Sequence, residues 1–351
     1  MTRAPHQAAL RQRATLEDVA REAGVSLATA DRVVNRRDGV HAKTAARVAH
    51  AIAKLGYTAN AAAARLARNR PRRFAFLLPS TPNAFMAQLA TQVAATARWL
   101  EGQNAFIDMS HIDVFDAEAL AAALRGLPPV YDGVALVALD HPSVRAAIDD
   151  LVARSVHVVT LVSDVPTSRR VHYIGIDNPA AGRTAASLMG RFVPRRGGTV
   201  AVVVATMALR DHAERHFGFM QVLSQEFSEL RILPVLEGRD DATRNRTLVR
   251  RLLSDTPDLV GIYNVGAGNE GIAAALETAG RARDVVWVAH ELTPDARRCL
   301  LNGVADAIIN QDPGHEARSA ARILLAHCEG APILADQERI RIEIFLRDNL
   351  P

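Results

Sequence analysis

The sequence predicts an α/β protein in which a small all-α unit precedes two doubly wound parallel-sheet lobes. Three observations lead there. The chain has 351 residues, and at roughly 100–200 residues per domain this is room for two or three folded units. Charge is unevenly spread: residues 1–73 hold 15 Lys and Arg against 5 Asp and Glu, a net of +10, and since the whole chain carries +4, residues 74–351 carry −6. From Phe74 onward, Val/Ile/Leu-rich runs alternate with helical stretches, the pattern of parallel strands buried on both faces. A basic end on an acidic body suggests one unit that meets a polyanion and another with a separate task.

Composition narrows the function classes. With 49% apolar and 23% charged residues the chain is globular in character, neither disordered nor collagen-like. No apolar run approaches the roughly 20 residues of a membrane helix, and the opening MTRAPHQAALRQRA lacks the apolar core of a secretory signal, so the expected location is the cytoplasm with no membrane partner. Cys299 and Cys328 are too few for a disulfide framework or a multi-thiolate metal site. The only lysines, Lys43 and Lys54, precede the body, which excludes a catalytic lysine there.

In chain order, Thr15 and Asp18 form a capping-box pair, and Leu16, Val19, Ala20 and Ala23 share one helix face until Gly24. Ser26 caps a second helix whose apolar side is Ala30, Val33 and Val34, while Leu27, Ala28, Asp31 and Arg32 point elsewhere. Two short helices joined by a glycine turn read as helix-turn-helix. A third helix runs from about Thr44, with Val48, Ile52 and Leu55 at core spacing, to Gly56. Residues 60–70, NAAAARLARNR, read as an Ala-rich helix capped by Asn60; below ~12–15 residues it needs a partner or DNA to persist. The expected divisions are a tail (1–13), the helix-turn-helix unit (14–58), a hinge helix or linker (59–71) and the body (72–351).

In the body the strand runs are FAFLLP, AFIDMS, GVALVAL, VHVVTLV, YIGID, TVAVVVAT, LPVLEG, LVGIYNVG, VVWVAHE, VADAIINQ and IRIEIFL, too many for one comfortable sheet. Open parallel sheets bind ligands outside the carboxyl ends of their strands. The residues there are Asn83 and Phe85 after the first strand, Asp140 after the third, Asp164 after the fourth, Arg215 at a helix start, and Asn264, Glu291 and Gln311. Acids, amides and one arginine suit a hydroxyl-rich ligand, with Phe85 packing on a sugar face.

Two other patterns compete. Gly266-Ala267-Gly268-Asn269-Glu270-Gly271 is a GxGxxG that follows a strand and opens a helix, with Glu291 20 residues beyond; it supports an alternative class, a nucleotide-binding sensor or oxidoreductase-like body. His212 and His216 flank Glu214 without an HExxH pattern or an evident third ligand, and read as a solvated helix start in preference to a metal site. No GxSxG or P-loop is present, so neither catalysis nor a resident cofactor is expected.

The string TLEDVAREAGVSLATADRVVN, with Gly39-Val40, Thr44, Leu55-Gly56-Tyr57 and Asn60, resembles the DNA-binding headpiece of the LacI/GalR family of bacterial transcription regulators. The body resembles the type I periplasmic binding protein fold that follows this headpiece in the family. The resemblance implies base reading by Leu27, Ala28 and Arg32, and phosphate contacts by Thr15, Ser26, Thr29, Asn35 and Thr44. Asp31 stands where the family usually has Ser; a carboxylate there costs affinity for phosphate unless paired, yet it can accept a hydrogen bond from cytosine. The hinge helix would pair across a homodimer through Ala63 and wedge Leu66 into the minor groove. Asn83, Phe85, Asp164, Arg215 and Gln311 match sugar-contact positions, and Glu291 replaces a usual Asp. Lobe crossings are expected near 163–167, 291–294 and 325–331, giving a first lobe of about 72–164 and 292–326 and a second of about 165–291 and 327–351. The implied function is a ligand-responsive repressor of sugar or polyol genes, dimeric on a palindromic double-stranded DNA operator, with its effector between the lobes.

Overall fold

The computed structural model describes residues 14–34, 39–57, 70–80, 83–194 and 197–351. The tail 1–13, Asn35, and residues 59–69 of the expected hinge with Ala63 and Leu66 lie outside the described residues. The chain divides into two units, Met1–Arg70 and Pro71–Pro351.

In the first unit, α1 (Leu16–Ala23) opens on the expected capping box: Thr15 Oγ1 accepts from the Asp18 amide at 3.2 Å and the Asp18 carboxylate accepts from the Thr15 amide at 2.9 Å. Gly24 ends the helix at φ 61°, a left-handed turn that a Cβ would strain. Ser26 Oγ accepts from the Thr29 amide at 3.2 Å and starts α2 (Leu27–Val34). The third helix, α3 (Ala42–Leu55), begins before Thr44 because His41 Nδ1 caps it, accepting from the Lys43 amide at 3.3 Å. Both lysines of the chain, Lys43 and Lys54, are exposed on α3. Val19, Ala23, Val48 and Ala51 form the core, with Val25, Val33, Ile52, Leu55 and Tyr57 packed around it.

The second unit holds two sheets. β1 (Arg72–Pro79), β2 (Ala105–Ile112), β3 (Gly133–Leu136), β4 (His157–Leu161) and β5 (His172–Ile174) are parallel in the order β2-β1-β3-β4-β5, with α4 (Ala84–Glu101), α5 (Ala117–Arg125) and α6 (Pro142–Ala153) between strands. The second sheet, β12-β11-β10-β9-β6-β7 with β8 on β6, is built from β6 (Gly198–Val204), β7 (Leu230–Ile232), β8 (Leu236–Glu237), β9 (Leu259–Asn264), β10 (Val286–His290), β11 (Ala307–Asn310) and the antiparallel β12 (Glu343–Phe345). Its helices are α7 (Asn178–Phe192), α8 (Arg210–Glu226), α9 (Ala242–Asp255), α10 (Asn269–Thr278) and α11 (Pro294–Asn302). Two-residue periodicity does the sorting: Val200, Val202 and Val204 of β6 face the α7–α8 side, Ala201 and Val203 the other.

The expected lobe boundaries move. β5 pairs with β4, so the first lobe runs past Asp164 to Ile174, and the crossing falls just before α7. β11 pairs with β10, so residues 307–310 belong to the second lobe, not the first. The chain then returns with α12 (Pro313–Glu329), which packs on α4 and β4, and crosses last after the short α13 (Ala335–Glu338), beyond 325–331. Strand partners, not apolar runs, decide lobe membership. Close helix packing fixes the site: a Cβ on Gly182 would lie 1.9 Å from the Arg215 carbonyl oxygen, and one on Gly218 2.1 Å from that of Pro179, so α7 and α8 touch backbone to backbone. No described helix is long and apolar enough to cross a membrane.

Candidate functional site

In the first unit α2 presents an exposed face. Leu27, Ala28 and Arg32 are exposed while Ala30 is buried in the core. Thr15 and Ser26 cap α1 and α2, Thr29 Oγ1 lies 2.8 Å from Ser26 Oγ, and Thr44 sits in the first turn of α3. Helix N-termini point amide groups outward and suit phosphate. Asp31 is half-buried, and its charge adds to burial in raising the Tyr57 phenol.

In the second unit the strand ends of both sheets open on a cleft between the lobes. The two walls differ. The first lobe supplies Pro79, Phe85, Met86, Val114, Phe115, Val137 and Val162, with only Asn83 and Ser163 polar; the second supplies Asp211, His212, Arg215, Asp240 and Glu291 beside Gln311, along with Leu209, Gly266 and Ala267. Arg215 is 2% exposed; its Nε donates to Asn178 Oδ1 at 2.8 Å and its Nη1 to the Val265 carbonyl at 3.0 Å. Gln311 Nε2 donates to Glu291 Oε1 at 2.9 Å. Among the described residues, five buried polar atoms of this lining have no hydrogen-bond partner: Ser163 Oγ, Asp211 Oδ1, Arg215 Nη2, Glu291 Oε2 and Gln311 Oε1. A buried unpaired polar group costs about 1–3 kcal/mol, so their gathering in one cleft points to a polar ligand.

Burial pushes the Glu291 carboxyl up to about 7, with Arg215 and Gln311 opposing. Behind it, on α12, Glu316 is wholly buried with both carboxyl oxygens unpartnered, and burial followed by the Glu291 charge holds it well above the carboxylate range. Three residues lining the cleft, Val162 (φ 63°), Asp240 (φ 56°) and Glu291 (φ 68°), are left-handed without being glycine, a strain that collects at functional sites.

Of the eight residues expected here, Asn83, Phe85, Arg215, Glu291 and Gln311 line the cleft. Three do not. The left-handed turn at Val162 carries Asp164 back into its own lobe, where it pairs with Arg170 and accepts from Thr160 Oγ1 at 2.7 Å and the Val165 amide at 2.8 Å. Asn264 Nδ2 is spent on the Gly266 and Ala267 carbonyls and on Asn269 Oδ1. Asp140 pairs with Arg145 at 3.3 Å and reaches across to Arg210 of the second lobe at 3.4 Å.

His212 is not solvated: it is 4% exposed and its Nδ1 accepts from the Ala205 amide at 3.0 Å. Asp211, His212, Asp240 and Ser163 were missed as lining residues; adjacency to Arg215 was the one signal for the first two. Among the described residues no three His, Cys, Asp or Glu side chains are grouped to hold a metal ion. The GxGxxG loop has a packing explanation: a Cβ on Gly271 would lie 1.8 Å from the Ala242 carbonyl of α9, and one on Gly266 2.4 Å from Asp240. The Ala267 amide, which a phosphate would need, donates to Asp240 Oδ1 at 2.8 Å, and Asp241, Glu270 and Glu291 stand nearby.

Residues 15–60 match the model for bacterial regulatory proteins of the lacI family, and residues 74–332 that for a periplasmic binding protein domain. Catabolite control protein A of Priestia megaterium is 26% identical over 250 residues, covering 71% of this chain and 73% of that protein. The ribose operon repressor of Bacillus subtilis (strain 168) is 46% identical over 77 residues, 22% of this chain and 24% of that protein. GanP, a glucose-galactose binding protein from Geobacillus stearothermophilus, has a TM-score of 0.70 at 21% identity, covering 80% of this chain and 99% of that one. A solute binding protein from Burkholderia graminis C4D1M in complex with D-arabinose has a TM-score of 0.71 at 21% identity, covering 80% and 96%. At these identities the solved structures speak for the fold alone.

Proposed function

Because the chain belongs to the periplasmic binding protein domain family over residues 74–332 and carries a lacI-family bacterial regulatory domain before it, we propose that it is a cytoplasmic, homodimeric transcriptional repressor whose hold on a palindromic operator is set by a small hydroxyl-rich effector. The single observation carrying the effector half is the set of unpartnered buried polar atoms facing an apolar wall. Such a cleft takes a sugar or polyol, with ring carbons on Phe85 and hydroxyls on Arg215, Glu291 and Gln311. In the DNA half, Leu27, Ala28 and Arg32 read base edges while Thr15, Ser26, Thr29 and Thr44 position the phosphates.

The two halves are joined by linkage. An effector that prefers one closure of the lobes shifts operator affinity in proportion to its differential binding, and no catalytic step is involved. The test is selection of an operator from random duplexes by the full chain, followed by band-shift titrations and melting curves across a panel of sugars and polyols. A ligand at 100 times its Kd adds ~2.7 kcal/mol of stability and is readily seen in a melt. Equal affinity for selected and random DNA would overturn the DNA half; a panel that moves neither melting nor operator affinity would overturn the effector half.

A further inference from the structure

We propose that the effector carries a positively charged nitrogen along with its hydroxyl groups: an aminated sugar or aminated polyol, not a neutral one. This rests on the cleft being the effector site. The charges there are unbalanced. Asp211, Asp240 and Glu291 line the cleft and Asp241 and Glu270 its adjoining open side; among the described lining residues Arg215, 3.9 Å from Glu291 Oε1, is the one guanidinium, and the Asp240 oxygens already accept from Asn83 and Ala267.

The unpaired atoms lean the same way. Asp211 Oδ1, Glu291 Oε2 and Gln311 Oε1 are acceptors, Ser163 Oγ can act either way, and Arg215 Nη2 is the one dedicated donor. Gln311 Nε2 donates to Glu291 Oε1, which leaves the amide oxygen buried at the cleft without a donor. A hydroxyl brings one donor together with acceptor lone pairs, whereas an ammonium brings three donors and no acceptor, so an acceptor-rich cleft discriminates for it. The second lobe is thus the ammonium side, while the apolar first-lobe wall accepts the carbon face of the ligand.

The experiment is calorimetric titration of the full wild-type chain with matched pairs: glucosamine against glucose, galactosamine against galactose, mannosamine against mannose, glucamine against glucitol. At least one amine is expected to bind about tenfold or more tighter than its hydroxyl twin, the size of one charge-assisted hydrogen bond. Asp211→Asn and Glu291→Gln should shrink that margin. Hydroxyl twins that bind as tightly as their amines in every pair overturn the cationic ligand and leave the cleft as effector site; binding by no member overturns both. A margin that survives both acid replacements also overturns the proposal.

Discussion

Glu291 shows how one side chain can be poised against the fold that holds it. Its folded-state value of about 7 lies above the ordinary 4.5, so at pH above 7 the buried charge opposes folding, by up to about 3 kcal/mol. The opposition is relieved as pH falls from about 7 toward 4.5, where the folded form takes up the proton first. The groups around it are Arg215 and Asp211 from α8, Glu316 from α12, and Gln311. Glu291→Gln should therefore melt higher than wild type at pH 8, with the gap closing toward pH 5 in calorimetric scans; a gap independent of pH would show that Glu291 does not titrate in this range. Asp164 makes the contrasting case. It sits in a half-closed pair with Arg170, so Asp164→Ala should cost roughly 3 kcal/mol in a denaturant melt while leaving operator binding and its effector response unchanged. Arg32→Ala should lower affinity for a selected operator by about 1–3 kcal/mol at fixed salt and leave random DNA nearly untouched; equal losses on both would remove it from base reading.

At the level of elements, the contact of α7 with α8 sets the position of Arg215. Gly182→Ala places a methyl 1.9 Å from the Arg215 carbonyl oxygen, so the helices must part; a loss of roughly 1–3 kcal/mol in thermal melts is expected, together with weaker effector binding. A fully stable variant would show that the helices have slack. The elements legible in the sequence are those with local causes. The Thr15–Asp18 box, the Gly24 stop and the alternating valines of β6 need only near neighbours. What was not legible depends on distant ones. β5 and β11 are assigned by hydrogen bonds to β4 and β10, β7 has three residues and is too short to show a period, and the burial of Asp211 and His212 is created by the cleft itself. The glycines of 266–271 read as a phosphate cradle because close backbone approach to a helix and to a pyrophosphate leave the same mark.

Among the described residues of the second unit, polar contacts that join the lobes include Asn83 Nδ2 donating to Asp240 Oδ2 at 3.2 Å, Asn178 Nδ2 donating to the Tyr173 hydroxyl at 3.0 Å, and Arg210 Nη1 meeting Asp140 Oδ2 at 3.4 Å. The Arg210 pair is partly exposed and contributes no more than ~1 kcal/mol. That is little for folding but enough to bias a closure equilibrium. Asp140→Asn should shift the effector concentration of half-response by about two- to fivefold without moving the melting temperature; an unchanged response would separate this contact from closure. A different consequence follows from α3. Since Lys43 and Lys54 both lie exposed on that helix and no other lysine exists in the chain, a reagent that acylates side-chain amines marks the first unit and spares the second. A dye attached in this way is a spectroscopic reporter with no label in the cleft, so any change in its emission when a small molecule enters the body would be a direct optical record of a message passed between the two units.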